Sequence, residues 1–226
     1  KTASGRIHSM PFYEGDDNDA ERYSQSSAEG ASSACVFDEQ VITRDYRWGT
    51  DTFQAPGLRL TVLTPFFSIP DPLLADQSKL KFASCPATFL SLVIENDSDE
   101  EWCGFFALKN DKYWSPLSSR SEGRLRGAVS RDSMGFATDA EVEEFCDFSV
   151  DRALDAQHTT PNFLLGPVAG VRFKVPAGES REIRITLAYY LSGVATFNQT
   201  ASYCYTQYFD SIQSVFSYAV QHFDAY

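Results

Sequence analysis

Apolar positions recur at two periods along the chain. From Leu58 to Leu63 they alternate, with Leu58, Leu60 and Val62 on one face, the pattern of a strand with one buried side. Thr88–Glu95 predicts a second strand. Asn96–Glu100 is a turn cluster, and Trp102–Lys109 predicts a partner strand, so the pair reads as a hairpin with a long loop. Leu125–Ser130 predicts a short strand. Glu144–Val150 predicts another, with Cys146, Phe148 and Val150 on one face. Val171–Val175 alternates up to Pro176-Ala-Gly178, a turn in which Pro fixes φ and Gly relieves the exit. Arg181–Tyr190 alternates throughout. Ile183, Ile185, Leu187 and Tyr189 should face the core, and Glu182, Arg184 and Thr186 the water.

The period changes at the C-terminus. Ile212, Val215, Phe216, Ala219, Val220 and Phe223 follow helical spacing. Asp210 with Gln213 resembles a capping box, and no Gly or Pro stops the helix before Tyr226. The domain's own sheet is the first expectation for what covers its apolar stripe. Pro65–Pro72 carries three prolines and must be irregular or an edge. Residues 16–33 have loop composition and read as a mobile loop. Short strands separated by turn clusters predict a mainly β fold, an antiparallel β-sandwich with a C-terminal amphipathic α-helix.

Charge narrows the partners. Lys plus Arg total 19 and Asp plus Glu total 31, a net charge of −12, so nucleic acid and anionic membrane surfaces lack the basic footprint they need. Aromatic residues make up 14%. They suit sandwich cores, and they also stack on sugar faces. Five cysteines, Cys35, Cys85, Cys103, Cys146 and Cys204, stand far apart in odd number. They read as reduced thiols, mostly buried, in a cytoplasmic compartment; Cys146 and Cys204 are expected in the core. No close ligand pairs mark a metal site. Three histidines, with no H-E-x-x-H, G-x-S-x-G, P-loop or G-x-G-x-x-G, mark no hydrolase, nucleotide or cofactor motif, so no cofactor is expected. Two glycosylation sequons, Asn96-Asp-Ser98 and Asn198-Gln-Thr200, matter only in a secreted eukaryotic setting.

Several stretches, in order, carry a family resemblance. They are Gly5–Phe12 with Glu21-Arg-Tyr23, Ile42–Phe53, Leu58–Pro72, Leu80–Ala83 with Pro86-Ala87, Gly123–Ser130, Val175–Glu179 and Ala201–Phe209. Together they resemble the N-terminal domain of glycoside hydrolase family fifty-two, the β-xylosidases. The resemblance implies a β-sandwich (residues 1–209) whose C-terminal helix (210–226) leads to an (α/α)6 catalytic barrel. It also implies retaining hydrolysis of β-xylosides, in which one carboxylate attacks the anomeric carbon and another protonates the leaving oxygen. In the family that pair sits in the barrel, so no catalytic residue is carried onto any position here. The expected partners are the barrel and, through the parent enzyme, a xylo-oligosaccharide. The chain looks trimmed at both ends. A sandwich lacking its opening strand exposes an edge, so either pairing with another chain, a homo-oligomer included, or a proteolytically nicked assembly that retains the missing parts is expected.

The candidate residues follow from this frame. Asp51, between Trp48 and Phe53, is expected to cap a turn, with a loop facing the barrel mouth as the functional alternative. Tyr113 and Trp114 lie in a loop and suit a sugar platform, a docking patch or the core alike. Gln207 stands where the family has Arg, and it cannot reproduce a bidentate contact with a carboxylate. Glu141, Glu143 and Glu144 are expected to form a solvated acidic turn, since a catalytic pair needs an apolar pocket. These residues and the resemblance favour a non-catalytic N-terminal sandwich that braces the barrel and shapes one rim of its pocket. The alternative is a free-standing sandwich that binds carbohydrate or assembles with itself; a short active enzyme ranks last.

Overall fold

The structure is a computed structural model that describes residues 1–2, 6–10, 34–110, 115–131, 133–147, 150–154, 165–196 and 198–226. The loop expected at 16–33, together with Tyr113 and Trp114, lies outside the described residues. In chain order the strands are β1 (Ile7–Ser9), β2 (Ala34–Val36), β3 (Thr43–Arg47), β4 (Thr50–Ala55), β5 (Leu58–Leu63), β6 (Ala87–Glu95), β7 (Trp102–Lys109), β8 (Leu117–Ser119), β9 (Arg126–Ser130), β10 (Met134–Thr138), β11 (Glu143–Asp147), β12 (Leu165–Gly166), β13 (Val168–Val175), β14 (Ser180–Tyr189), β15 (Val194–Thr196) and β16 (Thr200–Ser202). Three helices join them: α1 (Gln77–Ala83), α2 (Val150–Leu154) and α3 (Ile212–Gln221).

The fold is mainly β, as expected. A nine-stranded antiparallel sheet runs β12-β8-β9-β10-β14-β6-β5-β4-β3, and a three-stranded antiparallel sheet runs β11-β13-β7. Side chains of both sheets share one core. Leu90, Leu92, Phe136, Ile183 and Ile185 from the large sheet meet Cys146, Ala169, Val171, Phe173 and Val175 from the small one. This is the sandwich. The other face of the small sheet is closed by Ile7 of β1 and by Val150, Ala153 and Leu154 of α2.

β6 and β7 do not form the expected hairpin. β6 pairs with β5 and β14, while β7 pairs with β13 in the other sheet. The intervening turn carries the chain across the core, and Asn96 explains why. Its buried Nδ2 donates to the carbonyls of Glu100, Val175 and Pro176 at 2.8, 2.9 and 3.0 Å, while its Oδ1 accepts from the Ser98 N–H and hydroxyl. The Pro176–Gly178 turn makes a second crossing, from β13 to β14, with Gly178 at φ +71°. Both crossings are therefore knotted together by one amide.

The face of β14 expected in water is only partly wet. Thr186 and Ala188 are buried, because α3 lies over them. Ile212, Val215, Phe216 and Ala219 pack on Val129, Ala137 and Ala188. At the other end of this β14 pattern, Tyr189 is exposed, not inward. The helix begins one residue later than the Asp210–Gln213 box implies. Ser211 is the N-cap, its hydroxyl accepting from Ser214 N while the Ser214 hydroxyl accepts from Ser211 N. The helix stops at Gln221, and a 3-10 turn at Phe223–Ala225 completes the chain. The strand expected at Glu144–Val150 is β11, and Val150 opens α2.

The thiols are free, but less buried than expected. Cys146 is buried, Cys85 and Cys103 are half-buried, and Cys35 and Cys204 are exposed. Cys204 sits on an exposed 3-10 turn outside any sheet, so it has no core to join.

Candidate functional site

The large sheet reaches further than the small one. Core packing against the three-stranded sheet extends to Leu58, Leu60 and Val62 on β5. Beyond them the same face continues as Phe53 and Asp51 on β4, opposite Leu60 and Val62, and then as Arg44 and Tyr46 on the edge strand β3. Every residue of β3 is exposed. Gly49, at φ +70°, makes the β3–β4 turn, and its carbonyl accepts from Thr64 N at 2.8 Å. A Cβ there would sit 3.0 Å from the Thr64 carbonyl, so both the backbone angle and the close approach favour glycine.

Asp51 caps no turn. It lies on β4, and both its oxygens are held by Arg44, Nε to Oδ1 at 2.8 Å and Nη2 to Oδ2 at 2.6 Å. These bonds hold the carboxyl below its ordinary range. The guanidinium also lies over the rings of Tyr46 and Phe53, at 5.4 and 4.8 Å. Trp48, at the hairpin tip, is 83% exposed, and its ring meets Phe66 edge-on at 4.9 Å.

Phe66 opens the proline-bearing segment expected to be irregular or an edge; it joins no strand. Phe66, Ile69, Leu73 and Leu74 are 76%, 78%, 91% and 85% exposed. The segment is nonetheless ordered. Leu73 N donates to Asp71 Oδ1 at 2.9 Å, and Ala75 N to the Asp71 carbonyl at 2.9 Å. Phe67 points the other way, onto Phe82 of α1 and Tyr226. Tyr226 stacks on Phe82 at 4.1 Å and on Phe89 at 4.6 Å, and its hydroxyl donates to the Phe82 carbonyl at 2.8 Å. The readable signal was an apolar run with no period between prolines. Such a run can serve neither a strand face nor a helix stripe.

The structure brings Trp48 and Asp51 together on one hairpin. Gln207 lies apart, exposed on the 3-10 turn before α3, and no hydrogen bond or ion pair joins it to them. The three glutamates are no turn: two lie on β11. Glu143 pairs with Arg172 at 2.9 Å, and Glu144 accepts from Gly127 N at 2.7 Å and from the Ser121 hydroxyl. Glu141 and Glu143 line a cleft of about 680 Å³ with Glu101, Arg172, Lys174 and Arg181. Lys174 meets Glu101 at 3.0 Å. A general acid needs an apolar pocket; Trp102, Val142, Leu154 and Phe173 also line this cleft, but the Glu143 and Glu101 carboxylates are exposed and paired with cations. Among the described residues no group of three or more His, Cys, Asp or Glu could hold a metal ion, and no helix is long and apolar enough to cross a membrane.

The architecture defines a mainly β, two-sheet domain with an uncovered apolar rim. By sequence the chain belongs to glycosyl hydrolase family 52, whose model matches residues 1–226; the resemblance noted from its motifs holds. It is similar to two β-xylosidases of Geobacillus stearothermophilus. One is 29% identical over 235 residues, covering 96% of this chain and 32% of that protein. The other is 27% identical over 240 residues, covering 97% and 38%. The chain thus spans about a third of the length of these curated relatives.

Proposed function

We propose that this chain is the non-catalytic, N-terminal β-sandwich domain of a β-xylosidase-type retaining glycoside hydrolase. In this reading residues 1–209 form the sandwich, and the segment 210–226, whose helix α3 packs on its sheet, leads toward an (α/α)6 catalytic barrel. The domain braces that barrel and shapes one rim of a pocket for xylo-oligosaccharides. The observation that carries the reading is the pairing of a family match over the whole chain with coverage of only about a third of each relative. The charge geometry supports it. The Glu143 and Glu101 carboxylates in the 680 Å³ cleft pair directly with Arg172 and Lys174, which suits ion pairing better than proton donation. Five free thiols fit a reducing, cytoplasmic compartment.

The test is turnover of 4-nitrophenyl β-xyloside by the purified chain. Hydrolysis at the buffer rate is expected. Turnover that disappears on changing a single Glu or Asp would overturn the assignment.

A further inference from the structure

Trp48 and Gly49 separate β3 from β4, so the indole stands at the tip of that hairpin. It is 83% exposed, and Phe66, which it meets edge-on at 4.9 Å, is itself 76% exposed. An edge-on contact leaves at least one indole face open. The tip is fixed in place: Thr64 N donates to the Gly49 carbonyl at 2.8 Å and ties the turn to the segment that carries Phe66. At roughly 150–250 Å² per aromatic side chain, two such rings present on the order of 300 Å² to solvent. That is well below the ~800 Å² that each partner gives to a stable protein complex. It is enough for a small ligand.

The groups beside the rings say which ligand. Behind the tip come the rungs Arg47↔Thr50 and Tyr46↔Asp51, about 3 Å apart along the strand. Side chains alternate, so each face of the hairpin carries its own guanidinium–carboxylate pair. Arg44 holds Asp51 at 2.8 and 2.6 Å on one face, and Arg47 meets Asp45 at 2.9 Å on the other. Both pairs are neutral as units and open to water. A charged ligand gains little from charges already matched. A pyranose with equatorial hydroxyls gains from every part: its axial C–H face lies on an aromatic ring, and its hydroxyls both donate and accept around the rim. We infer that the tip of the β3–β4 hairpin is a carbohydrate-binding platform, in which Trp48 stacks on a β-linked equatorial pyranose and the flanking Arg–Asp pairs bond its hydroxyls. The choice of xylose as that sugar rests on the reading above; the platform itself asks only for the equatorial geometry.

Calorimetric titration of the purified chain with xylotetraose tests this. Saturable binding is expected. Trp48→Ala, made at an exposed position and melting with the parent, should weaken it by about tenfold. Trp48→Phe should recover part of the loss, because a ring is kept. Asp51→Asn should weaken binding too, and maltotetraose, whose α-linkages keep successive rings from lying flat, should bind less well than xylotetraose. No saturable binding by a chain that melts cooperatively, or binding that Trp48→Ala leaves unchanged, overturns the inference. So does Trp48 shielded from N-bromosuccinimide in the full-length protein with no sugar present, which would make the tip a protein contact. Turnover of 4-nitrophenyl β-xyloside by the chain would sink the functional reading instead and leave the binding result standing.

Discussion

Asn96→Ala removes the amide that ties both inter-sheet crossings together. The residue is 2% exposed. Its two N–H hydrogens are shared among three carbonyls from two turns, and its Oδ1 holds the Ser98 N–H and hydroxyl. Truncation strands the buried Val175 carbonyl on this side, at about 1–3 kcal/mol, and forfeits the four remaining, part-buried bonds at about 0.5 kcal/mol each. We expect a loss of about 3–5 kcal/mol. For a chain of this size each kcal/mol moves the midpoint by about 2–4 °C, so the melt should fall by on the order of 10 °C. Asn96→Asp keeps the acceptor for Ser98 but turns an anionic oxygen toward the three carbonyls. It should cost at least as much. Ser98→Ala breaks only the local turn bonds and should cost about 1 kcal/mol. Calorimetric unfolding of the three variants ranks them. If Asn96→Ala and Asn96→Asp both melt within about 1 kcal/mol of the parent, the knot carries no weight and the account of the crossings is wrong. The same geometry predicts that Asn96 stays unglycosylated even in a secretory host, since its amide hydrogens are engaged inside the fold.

Further predictions follow from single groups. The Thr186 hydroxyl is buried under α3 without a hydrogen-bond partner; Thr186→Val should stabilise by about 1 kcal/mol, and a lower melting point would show that a bound water satisfies it. Ser211→Ala removes the α3 cap and should cost about 1 kcal/mol in urea titration; no change would mean Ser214 or Asp210 takes over. With native protein at pH 8, iodoacetamide should modify Cys35 and Cys204 quickly and Cys146 slowly; fast labelling of Cys146 would contradict the packing. Burial pushes the Cys85 thiol up to about 11. Its folded form therefore favours the proton, and the stability this contributes is complete below the ordinary thiol range and lost as pH climbs through about 11. Cys85→Ala should flatten the alkaline decline in stability; an unchanged pH profile would refute the assignment.

Inward positions claimed by a single core are legible in the sequence. β5, the 171–175 half of β13 and the 181–187 part of β14 alternate because that core takes every second residue, and α3 shows its stripe because one sheet face claims it. Pairing was not legible. Trp102–Lys109 reads as the partner of Thr88–Glu95 by proximity, and only the buried bonds of Asn96 send it to the other sheet. β3 and β4 escaped notice because the face that Phe53 and Tyr46 share also carries the Arg44–Asp51 pair, which spoils the alternation. β10 is short and holds Gly135 where a Cβ would strike the Ala128 carbonyl. The same limits governed the site. Trp48 and Asp51 were visible as an aromatic and an acid near a turn. Arg44, seven positions before Asp51, could be joined to it only once the hairpin register was known.

If the proposed function holds, the reacting carboxylates lie outside residues 1–226. Trapping the full-length protein with a 2-deoxy-2-fluoro β-xyloside, which halts a retaining enzyme at its covalent glycosyl intermediate, followed by peptide mapping, tests it directly. The account predicts one labelled carboxylate, on a peptide beyond this domain. A label on any Asp or Glu between Lys1 and Tyr226 would contradict it.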